Sequence, residues 1–287
     1  MGDSRAARAS ALISVSLPED KMPDAVQQHD VFHYNQVAWD RQARADCEWS
    51  RPVDAAAIAE ARQGSVLAKL TPGPLPAGWL DDALGLDILC LASGGGQQGP
   101  QLAAAGARTT VLDASAEQLA RDREVAEREG LALRLEHGDM RDLSRFADAS
   151  FDCVFHPISN LYVPDVAPVW RECFRVLHPG GRLLASFYNP AVFVADRDPA
   201  LVEQGLIRPR FAIPYADPAH LSEAELAAKR TRGEALVFGH SLADLIGGQM
   251  AAGFLIAGFH EDWQPRPRFL IDRYLPTFIA TRALKPA

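Results

Sequence analysis

The sequence predicts an α/β fold with a doubly wound, mostly parallel sheet, because short apolar segments alternate with helical segments along most of the chain. Residues 87–115, DILCLASGGGQQGPQLAAAGARTTVLDAS, indicate this fold most clearly, since a strand, a glycine loop, a helix and a second strand follow one another there. The chain has 287 residues, of which 48% are hydrophobic, so it can bury one large core and carry an appended lid. This order of elements predicts a nucleotide pocket at the glycine loop.

The first two strands and the loop between them define the predicted pocket. Residues 88–91 are all apolar, which is typical of a strand covered on both faces. The glycines at 94–96 allow a sharp turn and a close approach of the backbone to a ligand, and Pro100 suits the first turn of the next helix. Asp113 ends the second strand 19 positions after Gly94, a spacing typical of a ribose-binding acid. We therefore predict that Asp113 binds two ribose hydroxyls.

The later segments continue the alternation and end in three short motifs. The predicted elements are a helix over 116–130, a third strand over 131–136, a fourth strand over 151–155 and a helix through Val176. The motifs that follow the third strand, the fourth strand and the last helix are HGDM (137–140), HPISN (156–160) and LHPGGRLL (177–184). Together with the glycine loop, and in this order, these motifs are far more specific than any one of them alone.

The ordered motifs resemble the class I S-adenosylmethionine (SAM)-dependent methyltransferases. The resemblance is firm over 87–187 and looser from Tyr34 onward, and the ASGGGQQ loop with the N-terminal AWD and WSRPV segments looks like a bacterial branch of that family. It implies a Rossmann-like, mostly parallel seven-stranded sheet with an N-terminal helical lid and an insertion after the fifth strand. It also implies SAM as the cofactor and a last strand that lies antiparallel at the edge of the sheet.

The resemblance further implies a set of site residues. In the family, the acid after the third strand accepts a hydrogen bond from the adenine amino group and the next residue covers the ring, which here indicates Asp139 and Met140. The predicted cofactor-binding residues are Trp39, Ala92, Ser93, Gly94, Gly96, Gln98, Asp113, Ala114, Gln118, Asp139, Met140 and His156. The predicted catalytic residues are Tyr34, His156 and Asn160, because the fourth strand's end holds acceptor contacts in the family and an imidazole can take a proton near neutral pH. His156 can equally be a hydrogen-bonded residue of the strand-end turn.

Two positions depart from the family pattern. Cys90 stands where the family carries Asp or Glu at the end of the first strand, and Ala92 stands where the loop has its first glycine. A thiol is a weak acceptor and is uncharged below its pKa of about 8.5, so it would hold the amine of the cofactor less firmly. Alternatively, Cys90 is a small buried apolar residue, which is the commonest role of a free cysteine.

Four functions are compatible with these motifs. The first is methyl transfer to a small molecule by in-line attack on the sulfonium. The second, suggested by Cys90, is a SAM-consuming lyase in which the cofactor's own amine attacks its γ-carbon and gives azetidine-2-carboxylate and methylthioadenosine. The third is a nicotinamide-dependent oxidoreductase, since Gly94, Gly96 and Gly99 fit the pattern G-x-G-x-x-G. The fourth is a cofactor-binding module without catalysis.

The chain is predicted to have three parts. These are a flexible arm over 1–22, a helical lid over 23–80 with helices over 29–45 and 54–63, and the SAM-binding domain over 81–287 with its insertion over 189–239. Tyr34, Asn35 and Trp39 are candidates for the lid face that meets the sulfonium, since an aromatic ring attracts a cation by about 0.5–2 kcal/mol. Trp39 can equally hold the helix on the core. The Pro-rich segment 71–76 is predicted to be a stiff connector.

The segments after the fifth strand are less regular. The insertion contains five prolines and is too long for a plain connection, so we expect it to carry substrate contacts. Beyond it, Ser241 is predicted to cap a helix that runs to Ala252, and two strands are predicted over 254–259 and 277–283.

Composition limits the partners and the compartment. A net charge of −8 without a run of Lys or Arg argues against a nucleic acid partner and favours a small-molecule substrate. The four cysteines include no C-x-x-C pair and no apolar stretch approaches about 18 residues, so we expect a cytoplasmic protein without a membrane span. His29 and His33 lack the Glu that a zinc protease places between them, and we expect no metal. The oligomeric state stays open.

Overall fold

The computed structural model describes residues 25–287, with side chains described from residue 31 onward. The predicted arm over 1–22 and the side chain of His29 lie outside these residues. The α-helices of the described part are α1 (Ala25–Arg44), α2 (Ala55–Ala61), α3 (Gln98–Ala104), α4 (Ala116–Glu129), α5 (Ala167–Val176), α6 (Pro199–Glu203), α7 (Asp217–His220), α8 (Glu223–Arg232) and α9 (Gly248–Ala251). Its strands are β1 (Asp87–Leu91), β2 (Arg108–Asp113), β3 (Leu133–His137), β4 (Phe151–His156), β5 (Leu177–Tyr188), β6 (Tyr215–Ala216), β7 (Phe238–Gly239), β8 (Leu255–Asp262) and β9 (Phe278–Leu284).

A seven-stranded sheet in the order β3-β2-β1-β4-β5-β9-β8 forms the centre of the molecule. The five strands from β3 to β5 pair in parallel, and β9 pairs antiparallel with both of its neighbours. β6 and β7 form a separate antiparallel pair. The predicted fold class, a Rossmann-like and mostly parallel seven-stranded sheet, is therefore confirmed.

The predicted position of the last strand is wrong. β9 lies between β5 and β8, with Ser186 of β5 opposite Ala280, and β8 forms the edge of the sheet. The physical reason is burial, because Ile279, Ala280 and Ala283 of β9 are at most 1% exposed, whereas exposed and half-buried residues alternate along β8. A strand with one solvated face suits an edge, and a strand that is apolar on both faces suits the interior.

Two apolar clusters cover the two faces of the sheet. Consecutive residues of β1 alternate between them, so that Leu89 and Leu91 join one cluster with α5 while Ile88 and Cys90 join the other with α3 and α4. This alternation explains why the whole of β1 is apolar, as predicted. The helices on both faces leave the carboxyl ends of the parallel strands accessible, and in doubly wound folds ligands bind at these ends.

Local signals in the sequence position the flanking helices. Ser115 accepts a hydrogen bond from Gln118 N, which begins α4, and Gly130 ends it in a left-handed conformation. Ser241 accepts a hydrogen bond from Asp244 N, as an N-cap does, although the predicted helix begins as a π-helical turn over Ala243–Gly247 before α9. Within residues 25–287, no helix combines the length and the apolarity needed to cross a membrane.

Helix α1 is held over the carboxyl ends of the strands from two sides. On one side, Asp40 Oδ1 accepts hydrogen bonds from Ser115 Oγ at 2.6 Å and from Glu117 N at 3.2 Å. On the other side, Asn35 is buried and bonds both backbone groups of Leu236 as well as the carbonyl of Tyr162. Because Leu236 belongs to the segment predicted as an insertion, this segment braces α1.

Candidate functional site

A cavity of about 890 Å³ lies at the carboxyl ends of the parallel strands, beneath α1. Its strand-end half consists of residues at or shortly after the ends of β1, β2 and β3 and in the first turns of α3 and α4, namely Ala92, Ser93, Gly94, Gln97, Gln98, Asp113, Ala114, Gln118, Asp139, Met140 and Arg141. Its loop half consists of Tyr188 at the end of β5, Phe278 at the start of β9 and residues from connecting segments, namely Glu48, Trp49, Lys69, Leu70, Thr71, Pro72, Gln264, Pro265, Arg266, Pro267 and Arg268. Phe32, Asn35, Gln36 and Trp39 of α1, with the segment after β4, complete the lining.

The glycine loop passes close to its neighbours where any side chain would collide with them. A Cβ on Gly94 would lie 2.8 Å from Gln118 Cβ, and one on Gly95, where φ is +117°, would lie 2.6 Å from the carbonyl oxygen of Trp49. Gly96 does not line the cavity, and its carbonyl instead accepts a hydrogen bond from Val53 N at 2.9 Å. The loop is thus fixed between α4 and the segment that follows α1.

Ala92 adopts a left-handed conformation with φ of +48°, which an alanine rarely takes. The resembled family has glycine at this position, and the backbone conformation explains why. The alanine therefore stores strain of about 1 kcal/mol at the start of the loop.

Asp113 lies at the end of β2 and lines the cavity, as predicted. Its Oδ2 accepts a hydrogen bond from Gly94 N at 2.9 Å, and its Oδ1 accepts one from Ser115 N at 2.8 Å. Burial raises the pKa of Asp113, while the two backbone donors act in the opposite direction. Each carboxylate oxygen keeps a free lone pair, so Asp113 can accept two further hydrogen bonds from a diol.

Two buried polar atoms of the strand-end half have no partner among the described residues. They are Ser93 Oγ and Gln118 Oε1, and both residues line the cavity next to Gly94. Buried polar atoms are normally hydrogen-bonded, so such a pair indicates a place where a polar ligand binds. The donors and acceptors of an adenosyl-amino acid fit this part of the cavity.

Asp139 and Met140 line the cavity directly after β3, where sequence reasoning expects them. Asp139 also accepts hydrogen bonds from the backbone and the guanidinium of Arg141, the shortest at 2.6 Å. This ion pair orients the carboxylate but uses part of its accepting capacity, so an adenine amino group would share it with Arg141. Sequence reasoning does not anticipate this contact.

The structure places His156 differently from the prediction. The residue is 0% exposed and does not line the cavity. Its Nδ1 donates to the carbonyl of Leu91 at 2.9 Å, its ring packs against Trp170, and burial lowers its pKa to about 4. A neutral imidazole beneath the floor of the site can neither contact a ligand nor take up a proton there at neutral pH. The prediction that it is a catalytic and cofactor-binding residue therefore needs correction, and the alternative of a strand-end hydrogen bond fits.

The other two predicted catalytic residues also face away from the cavity. Asn160 is 2% exposed and donates from Nδ2 to the carbonyl of Ser186 at 2.9 Å, which ties the segment after β4 to β5. The Tyr34 hydroxyl donates to the carbonyl of Glu234 at 3.0 Å. Both side chains connect elements of the scaffold instead of reaching a substrate.

The remaining predicted cofactor residues gather in one place. Ala92, Ser93, Gln98, Ala114 and Gln118 line the strand-end half of the cavity. Trp39 of α1 faces it from above, with its ring 5.2 Å from that of Tyr162 in an edge-on pair. Within the described residues, no group of His, Cys, Asp and Glu side chains forms a metal site.

Cys90 does not belong to the site. The residue is 0% exposed, packs in the cluster beneath α3, and its thiol pKa is raised by burial. It is therefore a small apolar core residue, and the observation that suggested a SAM-consuming lyase loses its force. All four cysteines are free.

Sequence reasoning missed one buried acid and the residues of the loop half other than Tyr188, which is a weaker candidate at the end of the fifth strand. The segment 69–72, which overlaps the predicted connector 71–76, forms a wall of the cavity, while no residue of 189–239 lines it, contrary to the expectation that the insertion carries substrate contacts. Asp122 lies under the glycine loop and accepts a hydrogen bond from Gly95 N at 3.0 Å, and burial raises its pKa to about 8. No local pattern marks the loop half, because its segments meet only through contacts between distant residues.

Comparisons with known proteins show which sequences and folds this chain resembles. A family profile described as a methyltransferase domain matches residues 89–185. The Bacillus subtilis methyltransferase YbaJ is 46% identical over 253 residues, which cover 88% of this chain and 97% of that protein.

Two solved structures share the fold. A SAM-dependent methyltransferase from Mesorhizobium loti has a TM-score of 0.56 at 23% identity and covers 80% of this chain and 99% of its own. A second structure is a Burkholderia thailandensis 1,6-didemethyltoxoflavin-N1-methyltransferase with bound 1,6-didemethyltoxoflavin and S-adenosylhomocysteine. It has a TM-score of 0.55 at 16% identity, and the match covers 95% of this chain and 94% of that chain. At these identities the structures support the fold alone, whereas the Bacillus relative matches nearly the whole chain. The protein thus belongs to the methyltransferase family.

Proposed function

We propose that the protein binds SAM in the strand-end half of the cavity and transfers its methyl group to a small molecule held in the loop half. The observation that carries this proposal is that one cavity of about 890 Å³ joins the carboxylates after β2 and β3 to an aromatic loop half. This volume lies within the range of about 300–1,000 Å³ that is usual for small-molecule sites. The net charge of −8 also favours a small molecule over a nucleic acid.

The strand-end residues divide the cofactor between them. Asp113 has two free lone pairs for the ribose hydroxyls, and Asp139 and Met140 would hold the adenine. The unpartnered atoms Ser93 Oγ and Gln118 Oε1 are available for further polar groups of the cofactor. Each of these residues is held by a strand end or by α4, so the pocket is largely preformed.

The chemistry needs positioning more than it needs proton transfer. When bound, SAM supplies an electrophilic methyl group on a sulfonium. The contribution of the chain is to hold the acceptor atom in line with that group and to exclude water, and α1 covers the cavity for this purpose. The Trp39 ring of α1 lines the cavity and can stabilise the sulfonium cation by a cation–π interaction.

We further propose that catalysis proceeds without a dedicated base. Among the described residues that line the cavity, none is a histidine. Tyr188 and Tyr162 line it as well, but burial raises the pKa of both phenols, so neither is a base at neutral pH. The acceptor atom would therefore be nucleophilic in its own right at neutral pH.

Two measurements on the full chain test this function. Calorimetric titration with S-adenosylhomocysteine should show one site per chain, and the Asp113→Ala variant should lose most of the affinity. Methyl-labelled SAM with a broad panel of small acceptors should transfer label to one compound class. Absence of S-adenosylhomocysteine binding would refute the cofactor site. Binding without transfer to any acceptor, together with methylthioadenosine release from SAM alone, would favour the lyase chemistry.

A further inference from the structure

The charges of the loop half differ from those of the rest of the molecule. The chain as a whole is acidic, with a net charge of −8, yet three of the residues in the loop half are cations, namely Lys69, Arg266 and Arg268. Only Glu48 provides a carboxylate there, and it pairs with Arg268. Lys69 and Arg266 have no carboxylate within 4.0 Å among the described residues. Two cations therefore remain at this wall without a counter-ion from the protein.

Hydrogen bonds between the segment after Lys69 and the end of β8 bring these two cations to the same side of the cavity. Thr71 Oγ1 and Gly73 N both donate to Asp262 Oδ2, at 2.9 Å and 2.7 Å. Asp262 is the last residue of β8, so the segment 69–72 lies beside the segment 264–268 that follows it. Lys69 and Arg266 are thus on neighbouring segments that face one space.

The position of this wall separates it from the adenosine pocket. Leu70 is tied to β5, because its carbonyl accepts a hydrogen bond from Ser186 Oγ at 2.6 Å, and Tyr188 of β5 pairs with Phe278 of β9. β9 is three strands from β1, and strands lie about 4.8 Å apart, so the ends of these two strands are about 14 Å apart. The segment 69–72 beside β5 therefore lies on the acceptor side, whereas Arg268 reaches Glu48 and Trp49 next to the glycine loop.

Aromatic rings line the same half of the cavity as the two cations. The ring centres of Tyr188 and Phe278 are 5.2 Å apart. Trp49 lines the same half, and the guanidinium carbon of Arg268 lies 4.8 Å from the centre of its indole ring. Aromatic walls favour a flat apolar molecule, and a Lys–Arg pair favours a carboxylate, sulfonate or phosphate group. We infer that the methyl acceptor is a small, flat apolar molecule that carries an anionic group, and that Lys69 and Arg266 bind this group. The inference rests on the proposed function, since it names the substrate class of the same site.

The test uses a pair of dyes that differ in charge. The probes are 8-anilinonaphthalene-1-sulfonate, an aromatic anion, and N-phenyl-1-naphthylamine, its uncharged analogue, each titrated by fluorescence into protein saturated with S-adenosylhomocysteine. We expect the affinity for the sulfonate to be at least about 10-fold higher than the affinity for the neutral dye. The double variant Lys69→Gln/Arg266→Gln should lose about 10-fold or more in sulfonate affinity and change the affinity of the neutral dye by less than about twofold.

The control is Arg273→Gln, because Arg273 is an exposed cation in the same β8–β9 connection that does not line the cavity. This variant should bind both dyes like the wild type. Equal binding of the two dyes, or an unchanged sulfonate affinity in the double variant, would overturn the inference.

The cofactor also carries a carboxylate, so its affinity is the second arm of the test. The double variant should bind S-adenosylhomocysteine within about twofold of the wild type, and a loss of tenfold would assign the cations to the cofactor and overturn the inference. If the wild type does not bind S-adenosylhomocysteine at all, the proposed function fails by itself. The dye titrations without it then still report whether the wall selects anions.

Discussion

The two halves of the cavity are built in different ways. In the strand-end half, Asp113 and the glycine loop are held by backbone hydrogen bonds at the ends of adjacent parallel strands. In the loop half, side chains connect segments that are far apart in the sequence, such as Thr71 with Asp262 and Arg268 with Glu48. The first half is formed by the ends of the parallel strands, whereas most of the second half is formed by loops that are tied to β5 and β8 through side chains. Such a division suits a protein family in which the cofactor stays the same while the acceptor differs between members.

Of the changes considered, Asp113→Ala should have the largest effect, a loss of affinity for S-adenosylhomocysteine. A small effect would contradict the distinction between the two halves. Two charge-assisted hydrogen bonds to ribose at about 2 kcal/mol each predict a loss of about 4 kcal/mol, or roughly 1,000-fold in S-adenosylhomocysteine affinity by titration calorimetry. Asp87→Asn is the control, because Asp87 begins β1 at the opposite end of the sheet and pairs with Arg108 at 2.6 Å. A change of less than threefold for Asp113→Ala would show that the strand-end half is not the cofactor site.

His156 should affect stability and leave binding intact. Its pKa is about 4 in the folded protein against 6.5 in the unfolded chain, so between these values only the unfolded chain takes up the proton. The free energy of unfolding should therefore decrease as the pH falls from 6.5 to 4, by roughly 3 kcal/mol. His156→Asn keeps a donor for the Leu91 carbonyl and should lack this component in denaturant titrations at several pH values.

The same variant distinguishes a scaffold role from a catalytic one. His156→Asn should bind S-adenosylhomocysteine like the wild type at pH 7.5 and show the same pH profile of methyl transfer. Loss of a kinetic pKa near neutrality in the variant would restore His156 as a catalytic base.

Arg268→Gln should have a smaller effect that stays within the loop half. The ion pair with Glu48 is partly exposed, and such pairs contribute little to stability. The contact with the Trp49 ring adds about 0.5–1 kcal/mol, so the free energy of unfolding should decrease by about 1 kcal/mol. Hydrogen exchange should accelerate in 264–268 and leave the glycine loop unchanged, with cofactor affinity within about twofold. Faster exchange in the glycine loop would show that the two halves are coupled.

Ala92→Gly should give the smallest effect, a gain of about 0.5 kcal/mol in the free energy of unfolding. Glycine removes the strain of the left-handed backbone, and its larger freedom in the unfolded chain offsets part of the gain. Ala103→Gly in α3 is the matched control and should destabilise by about 0.5–1 kcal/mol. A lower melting temperature for Ala92→Gly would contradict the strain at this position.

Sequence reasoning works where chemistry and chain order coincide. Asp113 ends β2, and Asp139 and Met140 come shortly after β3, so their meeting at one edge follows from the parallel pairing of these strands. His156 also ends a strand, but the sequence does not reveal that Trp170 and other residues cover it completely. The edge position of β8 could not be read from its sequence, because burial but not polarity alternates along LIAGFHED, and Leu255 and Phe259 are exposed apolar residues.

The loop half lies beyond such reasoning for a physical reason. Thr71 and Asp262 are 191 positions apart, and no periodicity links two irregular segments over that distance. The proline-rich composition of 71–76 predicts stiffness but says nothing about the surface against which the segment packs. Only the folded sheet brings Lys69 and Arg266 to one wall.

A crystal structure of the protein with S-adenosylhomocysteine tests the central claim most directly. We predict both ribose hydroxyls within hydrogen-bond distance of Asp113, the adenine beside Asp139 and Met140, and the loop half free for an acceptor. A ligand bound elsewhere, with Asp113 making only the contacts to Gly94 and Ser115 seen here, would contradict the division of the cavity.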